Sequence, residues 1–170
     1  MEVRFSELRN REAYNGKGEP LGIVINAIVE PQSETAYVVT MRTRGNNVGT
    51  SVVPVGRLKN IDSNEIIFAI SDIPPAKFPP EYDSFLSDRP NPGGLNSQVY
   101  SLNRKKVLGV IYDYLMDTET GTRAGVLIEE LTMGQKRKFF APTGKAFRSE
   151  EKAIGTKKIL INPTELQQIA

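Results

Sequence analysis

The sequence predicts an all-β chain: two tandem copies of one small, mainly β domain, joined by a proline-rich linker and closed by a short C-terminal helix. Three observations carry that expectation. β-branched runs alternate with turn residues and no long helical period interrupts them. One half of the chain repeats in the other. Six of the eleven prolines lie between Ser71 and Leu95, separating the halves.

The strands follow from the β-branched runs. In the first half they fall near Arg11 to Asn15, Leu21 to Glu30, Ala36 to Arg44, Thr50 to Pro54 and Glu65 to Ile70. In the second they fall near Gln98 to Ser101, Val107 to Asp117, Arg123 to Glu130, Lys138 to Ala141 and Lys157 to Asn162. Gly16-Lys17-Gly18 and Gly45-Asn46-Asn47 supply turn residues that tolerate positive φ. Asn162 before Pro163 reads as an N-cap with proline at the first helical position, opening a helix to about Ile169.

The repeat has a long period. Leu21-Gly22-Ile23-Val24-Ile25-Asn26 matches Leu108-Gly109-Val110-Ile111-Tyr112-Asp113, and Glu30 to Glu34 falls on Asp117 to Gly121 at the same offset. Pro54-Val55-Gly56 matches Pro142-Thr143-Gly144 one residue later in phase, and Ile66-Ile67-Phe68 corresponds to Ile159-Leu160-Ile161. Ordered matches of this kind mark repeated architecture. The expected domains are 1–70 and 96–170, with the linker at 71–95.

Proline fixes φ and removes a backbone donor, so Pro74-Pro75, Pro79-Pro80 and Pro90-Asn91-Pro92 exclude a helix interior or central strand. The linker also carries Phe78, Tyr82 and Phe85. These either anchor it to the domains or form a docking segment for a partner.

Composition narrows the chemistry. Among its 170 residues the chain has no His, Cys or Trp, which removes His-based triads, thiol nucleophiles, disulfides and ordinary zinc sites. Neither a nucleophile elbow nor a phosphate loop is present. The expectation is a protein that is not an enzyme, with no catalytic residues, no cofactor, no metal and no small-molecule substrate. No apolar run is long enough for a membrane helix and Met1 to Phe5 lacks a leader's character, so the expected compartment is the cytoplasm.

Leu108 to Asp113, followed by Asp117-Thr118-Glu119-Thr120-Gly121, resembles the opening hairpin of a PRC-barrel domain. The first copy is similar, although Glu34 stands where the second has Gly121, and Phe5-Ser6-Glu7-Leu8 with Arg11-Glu12 resembles the start of such domains. The family includes the cytoplasmic part of the photosynthetic reaction-centre H subunit and the C-terminal domain of the ribosome-maturation factor RimM. The resemblance implies a turn-rich barrel used for binding or assembly.

Candidate surfaces follow from the residues themselves. Regular alternation puts Ile23, Ile25, Ala27 and Val29 on one face, and Val110, Tyr112, Tyr114 and Met116 on the corresponding one. That second apolar face needs a cover, either internal or a partner. The candidate protein interface is therefore Tyr112, Tyr114, Met116, Ile23 and Ile25, with Phe78, Tyr82 and Phe85 of the linker. Asn26 and Asp113 are polar residues at one repeat position; each either satisfies backbone groups or serves a ligand or proton.

Charge is uneven. Residues 1–95 hold 10 Lys/Arg against 12 Asp/Glu, whereas residues 96–170 hold 12 against 8. Arg104-Lys105-Lys106, Lys136-Arg137-Lys138 and Lys157-Lys158 flank turns of the basic half. They are either solvated turn and edge residues or contacts for a phosphate-bearing partner such as RNA or an anionic membrane surface. The leading expectation is an adaptor that docks onto or helps assemble a larger protein complex, with peripheral membrane association included. The alternative is an RNA- or ribosome-associated factor working through the basic half.

Overall fold

The computed structural model describes residues 1–30, 33–62, 64–71, 95–102, 106–130, 136–144, 147–150 and 158–169. The chain is mostly β, arranged as a sheet curled into a half-barrel and a second sheet. It divides into two compact units, Met1–Arg89 with Met116–Thr122, and Pro90–Leu115 with Arg123–Ala170. The expected linker lies, but for its end residues, outside the described residues.

The first unit opens with β1 (Glu2–Arg4) and a single turn of helix, α1 (Phe5–Leu8). Glu7 accepts a bond from the Arg4 backbone N–H at 2.7 Å, which fixes the turn, and Phe5 and Leu8 are buried beneath it. Then come β2 (Glu12–Tyr14), β3 (Pro20–Val29), β4 (Ala36–Arg44), β5 (Asn47–Pro54), β6 (Leu58–Ile61) and β7 (Glu65–Phe68). Their order across the sheet is β5-β4-β3-β2-β7-β6.

The second sheet contains β8 (Gln98–Ser101), β9 (Val107–Asp117), β10 (Thr122–Glu130), β11 (Lys138–Pro142), β12 (Phe147–Glu150), β13 (Lys158–Ile161) and β14 (Gln167–Ile169). The order is β12-β13-β8-β9-β10-β11-β14. Read from the other end and without β14, it is the order of the first sheet.

Register matches as well as order. Tyr37 pairs with Pro54 and Gly125 with Pro142; Ala13 pairs with Gly22 and Val99 with Gly109. β2 runs parallel to β7, and β8 runs parallel to β13. The Leu-Gly pairs have a steric reason. A side chain at Gly22 would strike the Met41 carbonyl, and one at Gly109 would strike the Glu129 carbonyl, so only glycine lets these strands approach.

The repeated Asn26 and Asp113 also gain a cause. In the β3–β4 ladder Val24 pairs with Thr40 and Asn26 with Val39, leaving Ile25 as the extra residue of a bulge. Asn26 Oδ1 accepts from the Ala27 N–H at 2.9 Å, and Asp113 Oδ1 accepts from the Tyr114 N–H at 2.8 Å. Both side chains are buried, so each supplies an acceptor that its backbone needs at this point of the strand.

The bulge corrects the expected faces. Val24 and Ala27 pair with Thr40 and Val38 and share one face, whereas Ile23, Asn26 and Ile28 pair with Met41, Val39 and Tyr37 on the other. Ile23, Ile25, Ala27 and Val29 therefore do not form one stripe. On β9 burial changes phase at the corresponding step, from Ile111 and Asp113 to Tyr114 and Met116.

Turns are shared too. Glu34 adopts φ 59° and Gly121 φ 70°, and each donates its N–H to a carbonyl four residues back, on Glu30 and Asp117. Glu34 thus makes the same turn as the glycine, at a backbone conformation that disfavours side chains. In the first unit Tyr37 donates to Glu30 at 3.0 Å, and burial together with that bond holds its phenol above the usual pKa.

The expected C-terminal helix is corrected. Asn162 does cap, accepting from the Thr164 N–H at 3.2 Å, but the 3-10 turn stops at Pro163–Glu165. Gln167–Ile169 instead pairs antiparallel with β11, matching Lys138 with Ile169 and Phe140 with Gln167. A helix of seven residues has little stability of its own, and an open strand edge offers ladder bonds that it lacks.

Candidate docking cleft

The second unit contains a cleft of about 410 Å³. Leu108 of β9, Ile128 of β10 and Phe139 of β11 line it together with Pro163 and Leu166 of the C-terminal turn. Ser101, Lys106, Glu130 and Arg137 supply its polar groups. This is the usual make-up of a binding pocket: apolar walls, a few polar groups and a volume within roughly 300–1,000 Å³.

Local geometry explains the arrangement. Ile128 pairs with Phe139, and the next link of the ladder is the Glu130 N–H to the Arg137 carbonyl at 2.8 Å. Glu130 and Arg137 therefore sit one strand step beyond the apolar pair, on the same face. Ser101 donates its N–H to the Lys106 carbonyl at 2.9 Å, which brings the end of β8 to the same region. Gly109 permits the close approach of β9 to β10 that sets Leu108 near Ile128.

The charges are partly spent. Arg137 holds Glu130 with two nitrogens, Nε at 2.8 Å from Oε2 and Nη2 at 3.1 Å from Oε1. Its guanidinium lies 5.7 Å from the centre of the Phe139 ring. Lys136 pairs with Glu129 at 3.7 Å, and Lys138 stands 5.1 Å over the Tyr112 ring. Among the described residues no ion pair holds Lys106, which is exposed. Leu102 and Val107 are 41% and 40% exposed.

The other candidates are dispersed. Tyr114 and Met116 are covered by the chain itself, at 3% and 0% exposure. Tyr114 has the buried Arg123 guanidinium 5.0 Å from its ring. Tyr112 is half-buried. In the first unit Ile23 is 44% exposed beside Met41 at 39%, whereas Ile25 is half-buried against Ile28, Val39 and Val52. Of the basic candidates among the described residues, the cleft brings together Lys106 and Arg137. Lys158 begins β13, opposite Glu150. Phe78, Tyr82, Phe85, Arg104, Lys105 and Lys157 lie outside the described residues.

The sequence reading missed Ser101, Leu108, Ile128, Glu130, Phe139, Pro163 and Leu166 as a group. The available signal was the set of apolar residues at strand ends beside basic turns. Among the described residues no cluster of three or more acidic side chains is placed to hold a metal ion, and no helix is long and apolar enough to cross a membrane. A scan against protein-family models and a search of curated proteins return no match.

Proposed function

We propose that the chain is a non-enzymatic adaptor, built from two tandem PRC-type barrels, that docks onto a larger protein complex through the cleft of its second unit. The common strand order and register of the two sheets support the tandem reading. The observation that carries the docking reading is the cleft itself: an apolar hollow lined by Leu108, Ile128, Phe139, Pro163 and Leu166. Apolar side chains gathered at a concave site favour a protein partner, since such surface is costly to leave in water. Cytoplasmic location, with peripheral attachment to a membrane-bound complex, belongs to the same proposal.

The alternative RNA reading draws on Lys136, Arg137 and Lys138. Two of these already face Glu129 and Glu130 as ion pairs, which reduces what the cluster offers a phosphate. Mobility shifts of the full chain with ribosomal RNA at about 50 and 200 mM salt separate the readings, because phosphate binding weakens steeply over that range. The expected result is weak binding, unaffected when all three residues become alanine. Tight, salt-sensitive binding lost in that triple variant would favour the RNA factor instead.

A further inference from the structure

We infer that the cleft accepts an extended segment of a partner protein that presents an apolar side chain next to a carboxylate. This rests on the docking reading and specifies its chemistry. The apolar requirement comes from Leu108, Ile128, Phe139 and Leu166, which an uncharged side chain can cover without stranding a polar group.

The carboxylate requirement comes from the charge left over at the cleft. Arg137 and Glu130 form an ion pair, with Nε 2.8 Å from Oε2 and Nη2 bonded to Oε1, so their charges offset each other. Lys106 is the lining cation without a carboxylate among the described residues, and it is exposed where an entering segment passes. An acidic residue meets it without breaking an existing pair. A basic residue meets repulsion from Lys106.

The test uses the full chain labelled with nitrogen-15 and three end-blocked probe peptides. The first is Gly-Ser-Leu-Phe-Asp-Ser-Gly; the others carry Asn or Lys in place of Asp. The expected result is amide shifts centred on Leu108, Ile128, Phe139 and Leu166, with the Asp peptide binding at least about tenfold more tightly than the Lys peptide. Lys106→Glu, a change at an exposed position, should reverse that order while leaving the rest of the spectrum in place.

Equal binding of the Asp and Lys peptides would overturn the inference. So would an order unchanged by Lys106→Glu, shifts centred elsewhere, or decanoate binding as tightly as the Asp peptide. If no probe binds but the cleft still crosslinks to a protein from native extract, the proposed chemistry fails and the docking reading survives. If neither occurs, both fail.

Discussion

Gly22→Ala is expected to destabilise the first unit by about 4 kcal/mol, enough to leave much of it unfolded near 37 °C. Two costs combine. Gly22 has φ 111°, a conformation L-residues avoid, and its new methyl carbon would lie 2.5 Å from the Met41 carbonyl oxygen and 2.6 Å from its carbon. Backbone strain of this kind costs about 1–3 kcal/mol, and overpacking costs a similar amount again. Neither cost relaxes easily, because Met41 is held in the β4 ladder by Ile23 and Thr50. Urea unfolding followed by circular dichroism measures the change. A loss below about 1 kcal/mol would show that the strands can separate here, and the steric reading of the Leu-Gly repeat would be wrong.

Tyr114→Ala should cost about 3–5 kcal/mol, the range for removing a buried aromatic ring. The ring is covered on all but 3% of its residue surface, and Arg123, itself only 1% exposed, has its guanidinium carbon 5.0 Å from the ring centre. Removing the ring takes the aromatic face away from a buried cation, worth a further ~0.5–2 kcal/mol. Tyr114→Phe keeps the ring and should lose no more than about 1.5 kcal/mol, the value of one hydrogen bond. Thermal melting should therefore separate the variants by at least about 4 °C. If both melt with the wild type, the face carrying Tyr114 is tolerated surface rather than interior.

Much of the β architecture could be read directly because its causes are local. Leu-Gly and Pro-x-Gly recur where a strand must approach a neighbouring carbonyl or turn, so the repeats of Gly22 with Gly109 and Pro54 with Pro142 carry structural meaning. Asn26 and Asp113 were visible as a repeated polar position, but not as bulge acceptors. Seeing that required the register of β3 on β4, in which Ile25 has no partner. The same slip moved the apolar faces, since one extra residue reverses every side chain beyond it.

The C-terminal segment shows the opposite failure. Asn162-Pro163 gave a valid local start signal, yet the edge of β11 decided what followed. The cleft was the least legible feature. Its walls come from β8, β9, β10, β11 and the C-terminal turn, residues far apart in sequence that no spacing rule connects. The pairing of Lys136 with Glu129 and of Arg137 with Glu130 was equally hidden, because it forms only once β10 pairs with β11.

The docking claim is tested most directly by placing a photocrosslinking amino acid at Lys106, an exposed residue of the cleft lining, in the full chain and irradiating native extract with membranes retained. The account predicts an adduct with a defined protein, resistant to nuclease, little changed by salt, and lost when Leu166→Asp puts a charge into the cleft of a chain whose melting is otherwise preserved. An adduct removed by nuclease, or a protein adduct that persists unchanged with Leu166→Asp, would contradict it.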